Sequence, residues 1–179
     1  MIYLVRHGEA AASWGTHPNP GLSELGQDQA KAVAKTLSSL DISQIYTSPM
    51  QRCQETSEPF AQLSGLSVTI DPRVTEIPTP PETEDRIPWL QNLMSGTWDE
   101  TPSLVSDWRE TLIETVSKLP SETVVFSHFI AINAIVGHLE HRSEVTVFKP
   151  TYCSITKLEP TPNGLVLLER GAEASTKVL

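Results

Sequence analysis

The stretch Met1-Ile2-Tyr3-Leu4-Val5-Arg6-His7-Gly8-Glu9 sets four consecutive apolar residues directly in front of an arginine, a histidine and a glycine. It reads as a short β-run that delivers Arg6, His7 and Gly8 to a strand end, which is where an open α/β sheet keeps its chemistry. A second histidine, His128, closes another apolar run from Thr123 to Ser127, and Arg52 opens a helix just after a third run, Gln44 to Ser48. Three strand ends then bring two arginines and two histidines together. Such a group suits the capture and attack of an anion, and a phosphoryl group is the leading candidate.

The rest of the composition bounds this picture. At 179 residues, 39% hydrophobic and 20% charged, the chain has the length for one well-buried domain, and the expectation is a single domain over 1–179. A formal charge of −9 argues against nucleic acid or an anionic membrane surface as a partner. An anionic ligand must instead meet a local concentration of positive groups. Cys53 and Cys153 stand 100 residues apart with no signal peptide before them, so free thiols and a cytoplasmic location are expected. The apolar run Ile2 to Val5 is far too short to cross a membrane. Nothing in the sequence indicates the oligomeric state.

Along the chain the hydrophobic period switches between that of strands and that of helices. A loop of small residues and prolines, Ala11 to Gly21, precedes a helix N-capped by Ser23 and running to about Leu40, with Ala30, Val33, Ala34, Leu37 and Leu40 on one face. Ser48-Pro49-Met50-Gln51 looks like a helix start with serine at the N-cap, proline at N1 and glutamine at N3. Arg52 then shares its place with the free amides of that helix N-terminus. Pro59 should kink or restart the helix, and Gly65 should end it. A third strand, Ser67 to Ile70, leads to Arg73-Val74-Thr75-Glu76-Ile77. Residues 77–102, rich in proline and acidic residues, read as an irregular cap with one short helix around Arg86 to Met94. An amphipathic helix from Leu104 to Leu119, the strand to Ser127, a buried helix from Phe129 to Gly137, and a hairpin turning at Asn163-Gly164 complete the pattern. The last eight residues look like a loose tail.

Five segments in register, LVRHGEA (4–10), LSELGQDQA (22–30), IYTSPMQRCQET (45–56), RVTEI (73–77) and VVFSH (124–128), together resemble the histidine phosphatase superfamily in its phosphoglycerate-mutase-like branch. The resemblance spans about two-thirds of the chain. It implies a three-layer α/β/α sandwich around a mostly parallel sheet, in agreement with the periodicity.

Phosphoester cleavage needs a fixed cradle of donors for the charge on the transferring group. Arg6 and Arg52 can each offer a planar fork to two oxygens. His7 is the expected nucleophile, with one ring nitrogen bonded to a backbone carbonyl so that the other stays free. Gly8 would let backbone and phosphate approach closely. His128 would add a donor, in the protonated form favoured by the bound anion. The resemblance places the general acid at Glu76, with Glu82 and Glu84 in the cap as competitors. No metal or cofactor is called for.

Other polar residues have plainer uses. Glu9 would brace an arginine or cap backbone amides, while Ser13 and His17 lie in the first loop, where Ser13 is the candidate substrate contact. His138, Glu140 and His141 have a metal-like spacing that a helix end also explains. Trp89 and Trp98 could line the pocket mouth or bury the cap. Cys53 would pack against the sheet. The chain departs from the family pattern at Phe129, where glycine commonly follows the histidine, and in its first loop, where Ser13 or Ser23 must stand in for an asparagine. The expected activity is metal-independent phosphomonoester hydrolysis through a phosphohistidine on His7, acting on a small phosphorylated substrate or a phosphoprotein. A phosphoglycerate mutase, a phosphohistidine-protein phosphatase and a non-catalytic phospholigand binder are the alternatives.

Overall fold

The computed structural model describes residues 1–12 and 17–174. Six strands form one sheet: β1 (Ile2–Arg6), β2 (Gln44–Thr47), β3 (Val68–Ile70), β4 (Thr123–Ser127), β5 (Ile155–Thr161) and β6 (Gly164–Glu169). Their spatial order is β3-β2-β4-β1-β5-β6. The first four in that order are mutually parallel, and β5 and β6 close the sheet as an antiparallel hairpin. The helices are α1 (Glu24–Leu37), α2 (Gln51–Ser64), α3 (Arg86–Met94), α4 (Ser103–Ser117) and α5 (Phe129–Leu139). None of the described helices is long and apolar enough to cross a membrane.

The apolar run of β1 is continuous because helices cover both faces of the sheet. Ile2 and Leu4 join Val125 and Leu158 in a core filled by α4 and α5. Tyr3 and Val5, pointing the other way, join Ile45, Val124 and Phe126 in a second core filled by α1 and α2. This is the expected α/β/α sandwich. In the sheet register Arg6 lies level with Ser127, and Thr47 lies level with Phe126. The residues after β1, β2 and β4 therefore leave the sheet at the same height.

Several local expectations are revised. Helix α1 stops at Leu37 rather than Leu40, where the Ser38 hydroxyl donates to the Ala34 carbonyl. Ser48 is not the N-cap of α2: the helix starts at Gln51 behind Met50, and the Ser48 hydroxyl accepts from the Met50 amide at 3.2 Å while also meeting the His128 ring. Pro59 does not restart α2, which runs through it to Ser64 with Gly65 as its cap. Cys53, Thr56 and Phe60 anchor the helix face on both sides of Pro59, so packing outweighs the one lost backbone bond. The hairpin loop is Pro162-Asn163, with Gly164 (φ 115°) already in β6. Nor is the start of the tail loose, because the Ala172 carbonyl accepts from the Thr151 amide and the Ala174 amide donates to the Lys149 carbonyl.

The segment after β1 packs directly on the first turn of α1. Ser23 caps the helix through the Gly26 amide, and its own hydroxyl donates to Glu9 at 2.7 Å. A Cβ on Gly26 would fall 2.1 Å from the Glu9 carbonyl oxygen, so only glycine allows this approach. The variant Gly26→Ala should lose about 1–3 kcal/mol of stability. Thermal unfolding should show this as a Tm lower by about 2–12 °C, and an unchanged Tm would mean that the two segments are not in contact.

Candidate active site

Two backbone hydrogen bonds anchor the strand ends: the His7 amide donates to the Ser127 carbonyl at 3.0 Å and the Ser48 amide to the Phe126 carbonyl at 3.0 Å. His7 and His128 consequently lie side by side, with ring centroids 5.3 Å apart. Arg52, the second residue of α2, extends its guanidinium between them. Its Nε donates to His7 Nε2 at 3.2 Å, and one terminal nitrogen lies 3.2 Å from His128 Nδ1 and 3.3 Å from Glu76 Oε2. The Glu76 carboxylate also sits 3.4 Å from His128 Nδ1, and its other oxygen accepts from the Ile77 amide at 3.1 Å. Arg6, His7, Arg52 and Glu76 line a cavity of about 930 Å³. His128 stands behind Arg52, fully buried.

The hydrogen bonds assign the tautomers. Arginine can only donate, so His7 Nε2 must present a lone pair, and Nδ1 carries the hydrogen donated to the Gly8 carbonyl at 2.7 Å. By the same logic Arg52 makes His128 Nδ1 the acceptor, and His128 Nε2 donates to the Ser48 hydroxyl at 2.8 Å. Burial, the neighbouring His128 and the Arg52 charge hold His7 well below the usual imidazole range. Burial, then Arg52 and Arg6, do the same to His128. In the free protein, burial and the nearby guanidinium groups favour the neutral His128 ring, and the protonated form is the expectation for the anion-bound site.

Gly8 does not line the cavity; its amide donates to Thr56 Oγ1 and its Cα faces Gly26 of α1, which corrects its expected contact with phosphate. Ser13 lies outside the described residues. Ser23 is taken up as the α1 cap, and Glu9 holds that serine instead of an arginine. Glu82 and Glu84 are exposed and line no part of the cavity, whereas Glu76 is nearly buried in it. His17 is exposed at the cavity rim. Trp98 is buried in the core that α4 and α5 fill, and Trp89 packs against that core; neither reaches the cavity. The Glu140 carboxylate is held by Arg170. Cys53 is fully buried against the Ser127 carbonyl and His128, and burial raises its thiol far above the ordinary range. The first amide of α2 is occupied as well, donating to Asn19 at 2.9 Å.

Three residues on the cavity side lie outside the sequence expectations. Ser48 orients His128 rather than capping a helix. Arg86 at the start of α3 and Tyr152 before β5 both line the cavity. Arg86 donates from Nε to Thr79 Oγ1 at 2.7 Å. Phe129, the departure from the family pattern, lines the wall beside Arg6.

The histidine phosphatase superfamily (branch 1) model matches residues 2–172, and the chain belongs to that family. It is 32% identical over 160 residues to the probable phosphoglycerate mutase GpmB of Cronobacter sakazakii, covering 76% of this chain and 73% of that protein. Among solved structures it resembles a phosphoserine phosphatase from Entamoeba histolytica, bound to 3-phosphoglyceric acid (TM-score 0.75, 21% identity, 99% of this chain and 98% of that one). It also resembles a mycobacterial glucosyl-3-phosphoglycerate phosphatase (TM-score 0.72, 23% identity, 97% and 98%). These structural likenesses establish the fold.

The depressed histidines link pH to stability. Each is neutral when folded and titrates near 6.5 when unfolded, so below that pH the unfolded chain binds more protons and stability falls with falling pH. Urea titrations between pH 7 and 5 should show the decline, and it should be shallower in His128→Gln; equal slopes would show that His128 titrates normally.

Proposed function

We propose that the protein hydrolyses phosphomonoesters through a phosphohistidine on His7. The observation that carries this is the double constraint on the His7 ring: Nδ1–H is committed to the Gly8 carbonyl, so Nε2 keeps its lone pair at the cavity wall, where it accepts from Arg52 Nε until the ester oxygens draw that donor to themselves. An imidazole that is neutral, oriented and flanked by guanidinium groups is an activated nucleophile.

In the first half-reaction His7 Nε2 attacks phosphorus and the bond from phosphorus to the ester oxygen breaks. Arg6 and Arg52 take the charge on the equatorial oxygens. Glu76, carrying a proton taken up from solvent as the ester oxygens engage Arg52, gives that proton to the departing alkoxide. The resulting carboxylate then takes a proton from water as that water attacks the phosphohistidine, which releases inorganic phosphate and restores Nε2. The scheme calls on no metal or cofactor. The single domain, with residues 77–102 as its cap, supplies Ile77, Arg86 and Ile87 to the cavity wall, so the cap is where selection of the leaving group takes place. Free thiols at Cys53 and Cys153 agree with a cytoplasmic location, and the partner we expect is a phosphorylated small molecule or phosphoprotein.

A mutase reading draws on the names of the GpmB relatives and on Arg86, a further cation in the cavity that could meet a substrate carboxylate. Partition of the phosphoryl group between water and a second hydroxyl separates the two.

The test is acid–base partition of labelled enzyme quenched during turnover of a labelled phosphate ester, with chelator present. We expect label on the protein that survives base, is lost in acid and disappears in His7→Ala, whose kcat should fall by at least about 10⁴-fold. Tight binding of the ester without turnover would instead favour a non-catalytic binder. Replacing Glu76 by Gln should slow alkyl esters by about 10²–10⁴-fold, and nitrophenyl esters far less, because a nitrophenolate leaves without a proton. Equal losses for both ester classes would remove Glu76 from the acid role.

A further inference from the structure

The two arginines of the cavity are held in opposite ways. Arg52 is buried and paired with Glu76, so its charge is offset within the site. Arg6 has no carboxylate within ion-pair distance among the described residues. It donates from one terminal nitrogen to the Pro150 carbonyl at 2.8 Å, and its Nε is buried without a hydrogen bond. What holds it is aromatic: the guanidinium carbon lies 4.0 Å from the ring centroid of Tyr152 and 5.2 Å from that of Phe129.

We propose that Tyr152, assisted by Phe129, is the positioning residue for Arg6, an aromatic clamp that orients the guanidinium toward the phosphoryl group while leaving its charge uncancelled. The proposal rests on the phosphoester reading for the identity of the ligand. A ring under a guanidinium engages its flat face through the quadrupole. The in-plane N–H groups stay available for a two-oxygen grip. A carboxylate would orient the same group but would occupy those N–H donors and cancel the field, and the ligand would have to displace it. In a chain of net charge −9, an uncancelled cation in the cavity is what draws in a dianion.

The fold fixes the clamp to the residue it serves. The Cys153 amide donates to the Arg6 carbonyl at 2.9 Å, so Tyr152 is one residue from a backbone pairing with Arg6 itself. Cys153 takes a left-handed φ of 56°, and the neighbouring Thr151 amide is tied to Ala172. The ordered start of the tail therefore braces the turn that carries Tyr152. The same ring lies 6.0 Å from the His7 ring, and Phe129 directly follows His128. Both arginines meet the equatorial oxygens, but they come to them differently: Arg6 offers an uncancelled charge that captures the dianion, whereas Arg52 is locked to Glu76 and both histidines.

Calorimetric titration of the full chain with inorganic phosphate tests this directly. Tyr152→Ala should weaken phosphate binding by about 3- to 30-fold, and Tyr152→Phe, which keeps the ring, should bind within about twofold of the unchanged protein. Tyr152→Leu, with apolar bulk but no π face, must show the same weakening as the alanine variant, which separates clamping from packing. With nitrophenyl phosphate, KM should rise in step and kcat/KM should fall by at least the loss in phosphate binding, since the same guanidinium meets the equatorial oxygens during transfer. Phosphate binding unchanged in Tyr152→Ala and Tyr152→Leu overturns the clamp, as does Tyr152→Phe binding as weakly as alanine, or a fall confined to kcat. Turnover by the unchanged protein with unaltered binding in the variants would keep the hydrolase and discard the clamp. Phosphate binding that weakens in the expected order without any turnover would do the reverse, and an unchanged protein that does not bind phosphate overturns both.

Discussion

A buried guanidinium on α2 organises this molecule. Taking a charge out of water costs several kcal/mol unless geometry and hydrogen bonds compensate it, by order of magnitude. Arg52 is compensated by the Glu76 carboxylate and by a lone pair on each of two histidines, which outweigh the unfavourable positive end of the helix that carries it. Each of those partners is in turn oriented by Arg52. His7 must accept there, so its hydrogen goes to Gly8, and His128 must accept there, so its hydrogen goes to Ser48. One cation thereby sets two tautomers, which is what a nucleophilic site needs before substrate arrives.

That arrangement depends on two cores pressing from opposite faces. Because Ile2 and Leu4 belong to one and Tyr3 and Val5 to the other, β1 cannot slip by a residue without exchanging its faces. Its register with β4 is therefore firm, and the level ends of the two strands bring the histidine rings to within 5.3 Å. The close backbone approach of Gly26 to Glu9 adds a further constraint, seating α1 on the segment after His7. Stability of the sandwich and alignment of the site are consequences of the same packing.

Much of this is legible along the chain, and the departures share a cause. Strands, the limits of α3, the Ser23 cap and the identity of His7, Arg52 and His128 come from local pattern and motif, because each is decided by neighbours within a few residues. Ser48 departs from its local pattern because a serine before proline is a good cap, and only the arrival of His128, 80 residues away, recruits its hydroxyl. Helix α2 continues through Pro59 because the buried face of Cys53, Thr56 and Phe60 holds the chain on both sides of it. Tyr152 carries no motif at all; the one hint is an aromatic residue in the turn that feeds a strand.

By itself the sequence determined the alternation of strand and helix, the reactive residues at strand ends and the family to which the chain belongs, since periodicity and short-range motifs survive without any knowledge of who touches whom. Tertiary structure alone decided which partners hold the two histidine rings and the opposite means by which Arg6 and Arg52 are held, and it brought Glu76, the carboxylate the resemblance pointed to, into the cavity while leaving Glu82 and Glu84 outside. Those are questions of desolvation and of contact across 24 to 146 residues of chain, from Arg52–Glu76 to Arg6–Tyr152. Their energies arise only when the distant partners are brought together and water is removed.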